Sequence, residues 1–110
     1  MLQAGEIYFI PKVTLGRAEY GRPCLVLRAF KHNATICYFS TQFELHVPGE
    51  VVIEKTDVDF AATGLKESSF IPNDPVPDVP PDFFKGAKLR GRATGVFKKS
   101  VEEWYGDKLI

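Results

Sequence analysis

Apolar positions in this chain fall into short runs separated by glycine and proline. Glu6-Ile7-Tyr8-Phe9-Ile10 is a β-rich run stopped by Pro11. Pro23 opens a longer one: Cys24, Leu25, Val26 and Leu27 follow it without a polar interruption. A continuous apolar run bounded by Gly and Pro predicts a strand buried on both faces. Proline at its start removes only a terminal donor. Lys31-His32-Asn33 is a compact polar turn, and Thr35-Ile36-Cys37-Tyr38-Phe39 is a further strand, rich in β-branched and aromatic residues. Val51-Val52-Ile53 and Ser68-Ser69-Phe70-Ile71 predict two more short strands.

Between the first two strands, residues 11–21 carry Gly16, Gly21, Lys12, Arg17 and Glu19 and predict a loop, of the kind that carries function on a rigid scaffold. Pro72, Pro75, Pro77, Pro80 and Pro81 forbid helix and central strand; the segment reads as an extended connector or a mobile loop, and is expected to be ordered against the barrel. Phe97, Val101, Trp104 and Tyr105 recur at helical spacing. The expected helix starts near Thr94 and stops at Gly106, with its aromatic face and Trp104 packed on the sheet. Many short strands and one terminal helix predict a mainly β (α+β) protein, a small β-barrel or strongly bent sheet. A length of 110 residues predicts a single domain, 1–110.

Composition changes this picture little. The chain is 45% hydrophobic and 25% charged, enough apolar material for a core without disulfides. Fourteen basic and fourteen acidic residues cancel, so the whole-molecule charge points to no nucleic-acid partner and excludes no local patch. Lys85, Lys88, Arg90, Arg92, Lys98 and Lys99 form one such single-sign stretch, either a phosphate-tracking face, a dock for an acidic peptide, or a solvated surface. Cys24 and Cys37 lie in apolar runs and read as buried free thiols. With only His32 and His46 beside them, no metal site is expected. The N-terminus carries no leader pattern and no stretch has membrane-span length, so a cytoplasmic protein is expected.

The chemistry on offer is narrow. There is no Gly-x-Ser-x-Gly elbow, and no phosphate-cradling glycine loop with a following lysine. Both histidines sit in polar turns, which leaves a nucleophilic triad without a base. Asp57 and Asp59 share one face if their segment is extended, and need no catalytic meaning. What remains is Arg22 at the lip of the buried strand, and Ser40-Thr41-Gln42 at the end of the next one. Antiparallel pairing through the turn at 31–33 brings the two together. A guanidinium with hydroxyls makes an anion site that can stabilise the transition state of RNA cleavage, the ribose 2′-hydroxyl being the nucleophile. The plainer reading is a surface arginine beside a core strand.

Taken in order, these residues resemble the MazF/PemK family of toxins from bacterial toxin–antitoxin pairs. The resemblance runs over most of the chain. Gly5-Glu6-Ile7-Tyr8-Phe9 resembles the family's opening. Gly16, Glu19 and Gly21-Arg22-Pro23 with the Leu-Val-Leu strand carry its most specific signature. Ser40-Thr41-Gln42 resembles the family's Thr-Thr-Gln-like strand end, with serine in place of the first threonine. Gly64-Leu65, Ser69-Phe70-Ile71 and Asp74 resemble its later segment. The family implies an SH3-like small β-barrel with a C-terminal helix that forms a homodimer. It implies a metal-independent, cofactor-free endoribonuclease that cuts single-stranded RNA selectively, leaving a 2′,3′-cyclic phosphate and a 5′-hydroxyl. It implies an antitoxin partner whose disordered acidic segment blocks the RNA groove. Arg22 and Ser40, with Thr41 as the alternative hydroxyl, are the implied catalytic residues. Arg17, Glu19, Tyr20 and Gln42 are the implied RNA contacts. Two other functions suit the same barrel: a non-catalytic protein-binding inhibitor of the CcdB gyrase-poison type, acting through the residues after the terminal helix, and an inactive RNA-binding module.

Overall fold

The computed structural model describes residues 2–15, 18–72 and 75–110, with the backbone alone for 12–15 and 18–20. Seven strands and two helices follow in chain order. They are β1 (Glu6–Leu15), β2 (Ala18–Ala29), β3 (Ala34–Tyr38), β4 (Val52–Ile53), α1 (Phe60–Thr63), β5 (Ser69–Phe70), β6 (Val76–Val79), β7 (Lys88–Arg92) and α2 (Gly95–Tyr105). Five strands make one antiparallel sheet in the order β6-β3-β2-β1-β7, while β4 and β5 pair separately. Ser40, just past β3, joins the two sheets: its amide donates to the Phe70 carbonyl at 2.8 Å and its carbonyl accepts from Phe70 at 2.9 Å. The protein is thus mainly β; the five-stranded sheet ends at β6 and β7, and the pairings among the described residues do not close it into a barrel.

The run after Pro23 is the buried centre. Cys24, Leu25, Val26 and Leu27 are all fully buried. Leu25, Leu27 and Cys37 face a cluster with Ile53, Ile71, Phe97 and Val101, whereas Cys24 faces a second cluster with Ile10, Ile36 and Val79. Both faces of the sheet are therefore covered, which is why the run shows no polar alternation. The same alternation puts the two cysteines on opposite faces, where both are free. Burial pushes the Cys24 thiol up to about 12, and raises that of Cys37 as well.

The terminal helix spans Gly95–Tyr105 between Thr94 and Gly106, whose φ of 83° ends it in the left-handed conformation. Phe97 and Val101 are buried and Trp104 packs beside them. Its first turn is held from a distance. The Asp59 carboxylate accepts from the Phe97 amide at 3.2 Å and from the Thr94 hydroxyl at 3.2 Å. Asp57 caps its own turn by accepting from the Glu54 amide at 2.8 Å. The two aspartates are thus separate caps rather than one face of a strand.

The expected loop at 11–21 is a strand hairpin instead. β1 runs through Pro11 to Leu15 and pairs with β2 from Ala18 onward. The ladder slips between Ile10 and Val13, and this bulge admits the proline. Gly16, Arg17 and Asp74 lie outside the described residues, as do the side chains of Lys12, Glu19 and Tyr20. In the described part of the proline-rich connector, β6 takes the sheet edge with Pro77 in it, as the ladder requires of proline. Phe83 and Phe84, in a 3-10 turn at Pro81–Phe84, close the second cluster. β7 and α1 were not foreseen. All four of β7's side-chain-bearing residues are exposed; its backbone pairs with β1, and Arg90 and Arg92 reach Phe9 and Glu6 of that strand.

Candidate functional site

The β2–β3 register pairs Cys24 with Tyr38, and the next step is sealed by the Phe39 amide donating to the Pro23 carbonyl at 3.2 Å. One residue further out on each strand are Arg22 and Ser40. The pairing expected from the short turn at 31–33 thus places the arginine beside the hydroxyl-bearing segment. That turn is closed by the Phe30 amide on the Asn33 carbonyl at 2.8 Å.

Arg22 is half-buried and doubly fixed. Its Nη2 donates to the Phe39 carbonyl at 2.8 Å, and its guanidinium lies over the Tyr38 ring, 4.9 Å from the centroid. A guanidinium carries five donors in a planar fork, so one bond to a carbonyl leaves most of the fork for a ligand. The stacked ring holds the plane while adding no negative charge. Burial raises the Tyr38 phenol; Cys24 adds to the rise and Arg22 opposes it, so at neutral pH the phenol keeps its proton.

Arg22, Ser40, Thr41 and Gln42 all line one open cavity of about 440 Å³, floored by Phe39 and Phe70. The Ser40 hydroxyl oxygen accepts from the Gln42 amide at 3.1 Å. That bond orients the oxygen and leaves its proton to donate into the cavity. The Ser69 hydroxyl, also in the lining, is committed to the Glu67 carbonyl at 2.8 Å. The cavity therefore offers a fixed cation and orientable hydroxyls to one bound group, which is what an anion requires. Among the described residues no cluster of His, Cys, Asp and Glu side chains is placed to hold a metal ion.

Of the expected site residues, the structure brings together Arg22, Ser40, Thr41 and Gln42. Arg17 and the side chains of Glu19 and Tyr20 lie outside the described residues. Tyr38 and Phe39, which aim the arginine, were read from sequence only as strand residues. His46 was read as a turn residue; it packs edge-on against Phe70, ring centroids 5.2 Å apart, with a buried Nε2 that has no hydrogen-bond partner among the described residues.

A second cavity of about 220 Å³ adjoins the first and shares Pro23, Thr41 and Ser69 with it. Phe9 and Arg90 form part of its wall. Gly21, the last residue of the loop expected at 11–21, lies instead in β2, and a glycine in a strand marks a close approach. A β-carbon there would lie 2.6 Å from Phe9 Cε1 and closer still to Cζ.

No family model matches the chain, and a search of curated proteins finds no match. Among the described residues no helix is long and apolar enough to cross a membrane.

Proposed function

We propose that the chain is a toxin-type endoribonuclease of the MazF/PemK kind, cutting single-stranded RNA without a metal. The observation that carries the reading is the convergence of Arg22 with Ser40 and Thr41 on one cavity. In the proposed reaction the ribose 2′-oxygen bonds to phosphorus while the bond to the 5′-oxygen breaks. The proton lost by the 2′-hydroxyl is balanced by the one the leaving 5′-oxygen takes up, giving a 2′,3′-cyclic phosphate and a 5′-hydroxyl. Arg22 stabilises the charge that builds on the non-bridging oxygens, and the hydroxyl of Ser40 or Thr41 donates to the same phosphate. Loss of a preorganised donor of this sort costs about 10²–10³ in rate. Ser40 keeps the hydroxyl of threonine without its β-branch, and its bond from the Gln42 amide supplies part of the missing restraint.

The same reading takes the fold as an SH3-like barrel. Its support is the bridge from Ser40 to Phe70, which carries the chain leaving β3 into the β4–β5 pair. A homodimer in the cytoplasm and an antitoxin with a disordered acidic segment belong to the reading. The gyrase-poison alternative needs the residues after α2 to engage a partner. Leu109 is instead buried in the main cluster, its amide donating to Glu102 at 2.9 Å.

The test is incubation of the purified protein, in chelator, with a long single-stranded RNA. Discrete cuts with 5′-hydroxyl ends are expected from the parent and none from a folded Arg22→Ala variant. Equal cleavage by that variant would refute the mechanism. No cleavage by the folded parent would favour the binding-module reading.

A further inference from the structure

Arg90 sits where the β1–β7 ladder slips. Ile7 pairs with Gly91 and Tyr8 with Leu89, which leaves Arg90 as the extra residue of a bulge. Bulges re-aim a side chain. Here the guanidinium is laid over the Phe9 ring, 4.9 Å from its centroid. The same ring closes on Gly21, the residue before Arg22, where an added β-carbon would strike its Cζ and Cε1. Two arginines are thus held on aromatic rings along one groove: Arg22 on Tyr38 in the first cavity and Arg90 on Phe9 in the second. Pro23, Thr41 and Ser69 line both cavities, so the two adjoin. The ion pairs among the described residues, Arg28–Asp107, Lys55–Glu67 and Arg92–Glu6, involve neither arginine.

The bulge has a further support. Gly91 and Gly64 let the α1 segment press against the back of β7. A β-carbon on Gly91 would lie 2.5 Å from the Thr63 carbonyl carbon, and one on Gly64 would lie 2.7 Å from that of Arg90. The backbone under Arg90 is therefore clamped between β1 and the end of α1. A cation whose backbone and side chain are both fixed loses little entropy when it binds an anion.

From this we infer that Arg90 is a second phosphate-binding residue, taking the phosphate that neighbours the one held at Arg22. The inference rests on the ribonuclease reading and adds to it. The ligand is a polynucleotide with at least two phosphates, gripped at two points along the groove. Arg90 supplies binding rather than chemistry. It acts on RNA of any sequence, because phosphate carries no base information.

The test uses a ten-nucleotide RNA, its fully 2′-O-methylated counterpart, which cannot be cleaved through the 2′-oxygen, and a dinucleoside monophosphate, which has no second phosphate. Binding of the methylated strand is followed by fluorescence anisotropy across a salt series. For single strands each phosphate contact contributes about 0.7 to the slope of log affinity against log salt. Arg90→Ala is expected to lower the slope by about 0.7 and to weaken binding about fivefold at 0.1 M salt. Arg90→Lys is expected to restore the slope. For the ten-nucleotide RNA, kcat/KM falls by a similar factor with kcat unchanged, whereas cleavage of the dinucleoside monophosphate is the same in parent and variant. Lys31→Ala, an exposed cation in the turn at 31–33, changes neither. An unchanged slope in Arg90→Ala, with the parent still cleaving, overturns the inference and leaves the ribonuclease reading intact. A loss confined to particular base sequences overturns it too, since the second cavity then reads a base. A folded parent that neither binds nor cleaves removes the ribonuclease reading and the inference with it.

Discussion

Gly21→Ala probes the joint between the two arginines. The new β-carbon lies 2.6 Å from Phe9 Cε1, about 0.9 Å short of the ~3.5 Å at which two carbons rest. The atoms in the way belong to a ring, which can rotate, but the same ring carries the Arg90 guanidinium. Overpacking of this kind costs about 1–3 kcal/mol. Replacing glycine within a strand returns about 0.5–1 kcal/mol of backbone entropy. The net expectation is a destabilisation of up to about 2.5 kcal/mol, read by urea denaturation. The decisive measurement is a double-mutant cycle with Phe9→Ala. With the ring removed there is nothing to strike, so Gly21→Ala should become neutral or stabilising, with a coupling of at least about 1 kcal/mol. Equal costs in both backgrounds would mean that Phe9 does not lie on Gly21, and the geometric link between the two cavities would fall.

Three further outcomes follow from the same structure. Asp59→Ala removes both bonds to the first turn of α2 and should cost about 1–2 kcal/mol, seen as lower helicity in circular dichroism and a lower denaturation midpoint; an unchanged midpoint would show that the helix needs no cap from Asp59. Stability should fall in alkali. Folding holds the Cys24 proton up to about 12 against an ordinary 9.0, so this stabilisation is complete below pH 9 and is lost between pH 9 and about 12, at about 1.4 kcal/mol per pH unit. Cys24→Ser should flatten that decline; the same decline without the thiol would assign it to other groups. Neither cysteine should react with a thiol reagent at pH 8 until the chain unfolds, and rapid labelling of the folded protein would contradict their burial.

How much of this was legible in the sequence depended on whether a residue's role is local. The buried strand at 24–27 was readable because four apolar neighbours leave no face for water. The helix was readable because Phe97, Val101 and Trp104 keep its period and Gly106 ends it. The meeting of Arg22 with Ser40 followed from one short turn and antiparallel pairing. Pro11 misled because its missing donor reads as a stop, whereas a bulge absorbs it at little cost. β7 was hidden because Lys88, Arg90 and Arg92 point outward and leave no apolar alternation to detect. Asp59 was unreadable as a cap for α2 because the helix it serves begins at Gly95, far along the chain. The stacking of Arg90 on Phe9 exists only once β7 pairs with β1, so no local pattern contains it.

The organisation of β2 explains why Arg22 and the hydroxyl-bearing residues collect at this end of the sheet. Pro23 has no amide hydrogen, so the strand's ladder is weakest at this point, and its carbonyl is engaged by Phe39. Outward of it the chain no longer needs apolar side chains, because the two clusters end at Cys24 and Phe39. The first residue free of the core is Arg22, and its guanidinium satisfies the next carbonyl that the ladder leaves open, that of Phe39. The bond that seals the strand end is therefore the bond that aims the cation. Removing the guanidinium strips that carbonyl of its partner, at a cost of about 1–3 kcal/mol where it is buried. Arg22→Lys restores a charge without the planar fork. It should recover less of the activity than of the stability, because one ammonium can reach the carbonyl or grip the phosphate squarely, but lacks the geometry to hold both.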